Sequence, residues 1–351
     1  MEKIEIRFYK VKCGDCTYLR YTSLKKTINI IIDAGYYGTY KTTLKKDASQ
    51  IKERGEKIDL FVVTHIDRDH IGGIQPFLND FGTDMIKEFW FNHADRLEYR
   101  EKKIETEISV KQGSALRDKF HSEGRSFIEI TAGNEYIIDK SIKLKILSPS
   151  AESLTRLKNE WVEEEKKFEF EISSKGNDYQ RPIEELYSNP IDEDKDPING
   201  SSIAFLLEIK SFNALFCADA HPSILYESLR KLGYSKANPL KLSLFKVPHH
   251  GSKRNISNDL LDILDCQNFV FSANGMNRDN LPNKETIAKI VKNPNRKTEK
   301  KMYFYFNYDN SCLRGITTHI EQETYNFNCF YTQSTNNYLE TTFENGLLNF
   351  A

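Results

Sequence analysis

The sequence predicts an α/β protein, a four-layer αββα sandwich in which two mixed sheets pack together with helices outside. Three observations point there. Strand-like runs cluster at the start; strand and helix patterns then alternate; and the same scheme appears a second time. A single domain over residues 1–351 is expected. It would carry an acidic insert at about 151–200 and a strand-rich C-terminal extension at about 300–351.

The elements follow in order. "KIEIRFYKV", "CTYLRYT" and "INIIIDAG" alternate or run apolar with turn residues between them, so they predict strands. "KTTLKKDASQIKERGEK" has helical spacing and stops at Gly55. "IDLFVVTH" is apolar throughout and of strand length, which predicts burial on both faces. "IGGIQPFLNDFG" suggests a short helix, "IKEFWFNH" a strand, and residues 97–125 a charged amphipathic helix. "SIKLKILSP" and "SSIAFLLEIKSFNALFCADA" add three strands, the last two a hairpin turning at "KSFN". "HPSILYESLRKLG", "SNDLLDILDC" and "NKETIAKIVKN" read as helices; "LSLFKVPHHG" and "NFVFSANG" read as strands. The tail, through "KMYFYFNYDN" and "ITTHIEQETYNFNCFYTQ", returns to strands.

Charge is nearly balanced, with 50 Lys+Arg against 51 Asp+Glu, but unevenly placed. Residues 151–200 hold fourteen acidic and seven basic side chains, a net of −7. Their stretch "YSNPIDEDKDPINGSS" has little to bury and is expected to be a mobile loop. Residues 227–301 hold fifteen basic and seven acidic side chains, a net of +8, and are a candidate phosphate-facing surface. Lys253 and Arg254 are the best placed of these for such a role. The amino terminus lacks a signal-peptide apolar core, and no run reaches the length of a membrane helix. A soluble, cytoplasmic protein without membrane contact is expected. The six cysteines are scattered, and the lone pair Cys13 and Cys16 reads as packing rather than as a redox or metal motif.

The chemistry gathers at strand ends. In "THIDRDHIGG", His65 closes a buried strand and Asp67, Asp69 and His70 follow in the turn. Asp219 closes a second apolar strand, and His249 and His250 a third. Ligands in layered α/β folds bind beyond the carboxyl ends of strands. Three strands delivering His and Asp to one rim suit two metal ions about 3.5–4 Å apart with a bridging carboxylate. Neighbours in extended chain point opposite ways, so only a tight turn lets the first cluster converge, and Gly72 and Gly73 are expected to permit it. A merely solvated loop would not need the two distant partner strands.

"THIDRDHIGG", "FCADA" and "KVPHHGS" together resemble the metallo-β-lactamase fold superfamily, with "CGDCTYL", "IIIDAG" and "NGSSIAFLLE" as further matching pieces. The likeness covers about residues 4–292. Its flavour is that of the lactamase-like domain of bacterial DNA-uptake (competence) proteins. The resemblance implies two divalent ions, zinc or manganese. It assigns His65 and Asp67 to the first and Asp69, His70 and His250 to the second, with Asp219 bridging. Asp69 and His249 would be catalytic, His249 facing the substrate. His93 is a candidate for the remaining ligand of the first metal; His221, opening a helix, is expected to cap or support rather than ligate. Asp67 stands where relatives often have histidine, a harder donor that shifts preference from zinc toward manganese or magnesium. Leu281 stands where relatives often have another histidine.

The resulting expectation is a metal-dependent hydrolase, a phosphodiesterase or nuclease, with nucleic acid or another phosphodiester as substrate. Two alternatives stay open. One is hydrolysis of a small ester, lactone or thioester. The other is an effector of a bacterial defence system, activated by a regulatory protein partner, with the acidic insert as gate.

Overall fold

The computed structural model describes residues 2–93, 108–164, 176–277 and 279–351. Seventeen strands are present among them: β1 Lys3–Tyr9, β2 Thr17–Thr22, β3 Thr27–Ile32, β4 Ile58–Val63, β5 Ile86–Phe91, β6 Glu135–Asp139, β7 Ile142–Ser148, β8 Ala204–Ile209, β9 Phe212–Phe216, β10 Leu240–Leu242, β11 Leu244–Lys246, β12 Leu264–Cys266, β13 Asn268–Phe271, β14 Met302–Phe306, β15 Phe327–Tyr331, β16 Tyr338–Glu344 and β17 Leu347–Phe350. One sheet runs β17-β16-β1-β2-β3-β4-β5 and the other β15-β14-β13-β11-β9-β8-β7-β6. A short parallel pair, β10 and β12, stands apart from both.

Both large sheets are mixed. In the first, β1, β2 and β3 pair antiparallel, while β3, β4 and β5 are parallel. In the second, β6 to β9 are antiparallel and β9, β11, β13, β14 and β15 are parallel. The parallel strands of each sheet carry their carboxyl ends to the functional rim.

Three apolar layers separate the four structural layers. Leu60, Val62, Phe205, Leu207 and Phe216 belong to the core between the sheets. Phe61 and Val63 point the other way, into a second core with Leu44, Phe77, Phe120 and Trp161 from the outer helices. A third lies beyond the second sheet, where Leu225, Leu229, Ile287 and Ile290 pack on Phe245 and Phe269. The alternation along "IDLFVV" is therefore a period of two with both faces apolar, as expected of a strand buried on both faces.

Several expectations change. The tail is not strand throughout. Asn310 caps a helix at Ser311–Arg314, and Thr318 and Glu321 form a capping box opening His319–Thr324. "SNDLLDILDC" is a helix only over Asn258–Asp262 and then becomes β12. β6 has no clear counterpart in the sequence pattern. The C-terminal strands complete the sheets: β14 and β15 extend the second, and β16 pairs with β1 in the first. Of the helix expected over 97–125, Ile108–Ser122 is observed and residues 94–107 lie outside the described residues. Among the described residues, no helix is long and apolar enough to cross a membrane.

The acidic insert departs most. Its residues 165–175 are outside the described ones. The part expected to be a mobile loop, around "IDEDKDPING", is packed: Asp194, Ile198 and Asn199 are buried, and Asp196 caps a helical turn at Pro197–Gly200. Three lysines of the +8 stretch are not available to a partner. Lys246, Lys284 and Lys289 are buried in ion pairs with Asp15, Glu321 and Glu285.

Candidate metal centre

Asp33 follows β3, His65 follows β4, Asp219 follows β9 and His249 and His250 follow β11. Three of these positions, and Ala218 beside Asp219, take left-handed backbone: Asp33 (φ 58°), His249 (φ 45°), His250 (φ 54°) and Ala218 (φ 45°). Such conformations cost about 1–3 kcal/mol each in a non-glycine residue and cluster at functional sites. Gly72 and Gly73 play a different part from the one expected. Their backbone is ordinary right-handed helix. A Cβ on Gly73 would lie 2.2 Å from the Ala34 carbonyl oxygen, and one on Gly72 2.5 Å from that of Arg68, so they allow close packing rather than a special bend. Gly14 does likewise: its Cβ would fall 2.5 Å from the Asp69 carbonyl oxygen.

The centre is one oxygen. Asp219 Oδ2 lies 3.7 Å from His65 Nε2, 3.6 Å from His70 Nε2, 3.5 Å from His249 Nε2 and 3.8 Å from His250 Nε2. Asp67 Oδ2 flanks His65 Nε2 at 3.6 Å, and Asp69 Oδ2 flanks His250 Nε2 at 3.1 Å. Two donor sets, each with ligand atoms within 4.8 Å of one another, emerge among the described residues: His65, His70 and Asp219; and Asp69, His70 and His250.

The far nitrogen of every imidazole is held by a group that fixes its proton. Asp33 accepts from Thr64 N–H, from the Thr64 hydroxyl and from His70 Nδ1, each at 2.8 Å. The Thr64 hydroxyl, donating to Asp33, accepts from His65 Nδ1 at 3.0 Å. The Ser272 carbonyl accepts from His250 Nδ1 at 3.1 Å. Asn255 Oδ1 accepts from His249 Nδ1 at 2.8 Å, because its amide nitrogen already donates to Asp194 and the Asp219 carbonyl. All four rings therefore carry hydrogen on Nδ1 and turn Nε2 inward.

Most of those inward atoms lack a hydrogen-bond partner, although Asp69 Oδ2 approaches His250 Nε2 at 3.1 Å. Nε2 of His65, His70 and His250 and Oδ1 of Asp219 are buried without a hydrogen-bond partner. Buried polar atoms are normally paired. The surrounding carboxylates favour positive charge at these rings. Burial pulls His70 down, but Asp219, Asp33 and Asp69 outweigh it and raise it well above the ordinary imidazole value. His249 is likewise opposed by burial yet lifted to about 10 by Asp219 and Asp194. Burial would raise Asp69, but His70 and His250 hold it at about 2. A divalent cation supplies the same positive charge at the same atoms, and imidazole nitrogen with carboxylate oxygen is a donor set for zinc or manganese. The residues present fit such an ion.

The other expected residues fall as follows. His93 stacks near Phe91 and Phe127 and edge-on to His121, and belongs to neither donor set. His221 sits at the N-cap of the helix Pro222–Lys231, with Nε2 3.0 Å from the Asp196 carbonyl oxygen. Leu281 is buried with Cys13 and Ala273 in a small apolar group. Cys13 and Cys16 are free and buried, and burial pushes both thiols well up, which suits packing. Lys253 approaches Glu285 at 3.3 Å, and Arg254 donates to the carbonyls of Asp192 and Glu193, so neither reaches freely over the rim.

Sequence reasoning gave no role to Asp15, Asp33, Asp194, Lys246 or Asn255. Asp33 carried a usable signal, an acid closing an apolar strand just as Asp219 does. Asp15 sits in the "CGDC" turn, receives Lys246 Nζ at 2.9 Å and lies 3.7 Å from His250 Nδ1. Asp194 is one of three acids within four residues, and nothing local distinguishes it.

Residues 14–101 match the family model described as the metallo-beta-lactamase superfamily. The mixed α/β architecture with two large mixed sheets is consistent with that fold. Comparison with curated proteins gives no significant match. Among solved structures, the chain is similar to the metallo-beta-lactamase fold protein YhfI from Bacillus subtilis, at 10% identity and a TM-score of 0.41 over 95% of this chain and 98% of that one. It is also similar to a metallo-beta-lactamase from Cronobacter sakazakii, solved as a motif mutant, at 12% identity and a TM-score of 0.30 over 70% of this chain and 77% of that one.

Proposed function

We propose that this chain is a metal-dependent hydrolase of the metallo-β-lactamase type, with a phosphodiester as substrate. One observation carries the proposal: four imidazoles, each fixed from behind, turn Nε2 toward Asp219 Oδ2, and three of those nitrogens, with Asp219 Oδ1, are buried without a hydrogen-bond partner.

Asp219 would sit between two ions, with His65 and Asp67 on one flank and Asp69, His70 and His250 on the other. Bound there, the ions would supply Lewis acidity and lower the pKa of water to about 7. Asp33 and Thr64 keep His70 and His65 aimed, and Ser272 does the same for His250. His249 is the most open of the four, its side chain 25% exposed against 2% or less for the others. It is placed to hold or move a proton at Nε2 for the leaving group.

The mixed imidazole and carboxylate donor set suits zinc or manganese, and a pair of such ions could clamp a phosphate. The rim favours a short phosphodiester over a long nucleic acid, since Lys253 and Arg254 are engaged by acidic partners. That same engagement is the specific support for the second reading, a small neutral ester, lactone or thioester. The partner-gated reading has less support, because Asp194 is built into the site wall.

The test is hydrolysis by metal-free protein supplied with zinc or manganese. Substrates would be a chromogenic phosphodiester, a dinucleotide, DNA, RNA and a chromogenic ester. Turnover of the phosphodiester and dinucleotide above the ester is expected. Ester hydrolysis alone would replace this substrate class, and no metal uptake would end the hydrolase proposal.

A further inference from the structure

We infer that Asp194 is a positioning residue for the reaction, acting on His249 from behind; this rests on the hydrolase proposal above. Asp194 comes from the acidic insert, 55 residues before His249 in the chain. Yet it is buried, with its carboxylate 3.4 Å from His249 Nδ1.

Its contacts leave it little freedom. Oδ2 accepts from Asn199 Nδ2 at 2.8 Å and from Asn255 Nδ2 at 3.1 Å. Oδ1 accepts from Asp196 N–H at 3.1 Å. Its own N–H donates to the Arg254 carbonyl at 3.1 Å. The insert is thus pinned to the loop that follows the two histidines.

Asn255 connects the parts. It is fully buried, and its amide nitrogen faces only acceptors: Asp194 Oδ2, the Asp219 carbonyl at 2.9 Å and the Ala220 carbonyl at 3.4 Å. Its oxygen is therefore left to His249 Nδ1. The Asp194 charge then lies behind a ring whose Nδ1 proton is fixed and whose Nε2 faces the site. A carboxylate so placed holds the ring's orientation and tautomer. His65 and His70 receive the equivalent help from Asp33, but His249 draws it from a segment with no regular place in either sheet.

The experiment uses the full chain loaded with zinc and, in parallel, metal-free. Nitrogen-15 histidine NMR would identify the His249 Nδ1 proton by its loss in His249→Gln. Asp194→Asn is expected to shift that proton upfield or broaden it. It should lower kcat on a chromogenic phosphodiester about 10–100-fold with KM changed less than about 2-fold, and leave zinc affinity unchanged. Glu193→Ala loosens the same insert by removing the acceptor for Ser223 N–H, and should move none of these. An unaltered His249 proton in Asp194→Asn would overturn the inference. So would a KM effect alone, or an equal response to Glu193→Ala. If Asp194→Asn fails to fold, Asn199→Ala releases the same carboxylate more gently, and the proton must still shift. Failure of zinc to bind would sink the hydrolase proposal, while the NMR readout on metal-free protein would still decide the Asp194 link.

Discussion

Two sets of buried polar groups in this molecule differ in what they do with their charge. Around Asp219, side chains are tied from behind and left unanswered in front. Along residues 227–301, buried charges find each other: Lys289 lies 3.1 Å from Glu285, Lys284 2.7 Å from Glu321, and Asn293 donates to Asp262 at 2.8 Å. The buried lysines of the second region find their counter-charges within the protein, whereas three inward imidazole nitrogens of the first do not. Net charge along the chain points to the second; unsatisfied buried atoms point to the first. Charge balance speaks about solubility and encounter, whereas a buried atom without a partner costs free energy that folding alone does not recover.

The sharpest way to break the contrast is to remove the shared oxygen. Asp219→Ala should abolish phosphodiester hydrolysis by about 1000-fold or more, since it loses several kcal/mol of charge stabilisation. Elemental analysis should show the zinc content falling with it. The fold should persist, because the four imidazoles would repel one another less when unprotonated and solvated. Full activity in this variant would mean the converging atoms are not the working centre.

The matching change in the self-satisfied region should harm stability and spare chemistry. Lys289→Met leaves Glu285 buried but still in contact with Asn189 and Lys253. The expected loss is therefore roughly 2–3 kcal/mol, below the about 3–5 kcal/mol for breaking a buried pair outright. Denaturant unfolding measures it, and specific activity of the folded protein should be unchanged.

A subtler change tests whether the rear contacts of the first region matter. Asp33→Asn keeps an oxygen for His70 Nδ1 but removes the charge and one acceptor for Thr64. Metal affinity should fall about 10–100-fold, the usual effect of losing a partner behind a ligating histidine. Competition with a zinc chelator reads this directly, and unchanged affinity would show that the ring is held by packing alone.

How much of this was legible beforehand follows the same divide. His65 to His70, Asp219 and the two histidines after β11 could be found because strand-end position and local spacing are one-dimensional signals. So could the layered architecture, because "IDLFVV" and the helices around it repeat with fixed periods. Asp194 could not, since its role depends on Asn255 and His249, which lie 61 and 55 residues away. The expectation of a mobile acidic loop failed for a related reason. Composition reports that a segment has few apolar residues to bury, but Asp194 and Asn199 are buried by hydrogen bonding instead. A running charge count along the basic stretch likewise does not reveal that Lys284 pairs with Glu321.

The smallest expected effect lies in the first sheet, away from the centre, where another polar group completes itself. Glu56 receives both arms of the Arg20 guanidinium, at 2.7 and 2.9 Å, and Asn29 Nδ2 at 3.1 Å. The Arg20 hydrogen bonds lower its pKa from 4.5 to about 2. A carboxylate depressed in this way contributes stability that is fully present above pH 4.5 and fades as pH falls toward 2, because the unfolded chain takes up its proton first. Glu56→Gln should therefore reduce stability modestly at neutral pH and flatten its acid dependence between those values. Part of the side chain meets solvent, so screening keeps the effect small. Thermal unfolding of both proteins from pH 6 down to pH 2 would show curves that converge at the acid end. Curves that stay parallel would mean that Glu56 is not titrating against Arg20, and that this region is not satisfied in the way its geometry indicates.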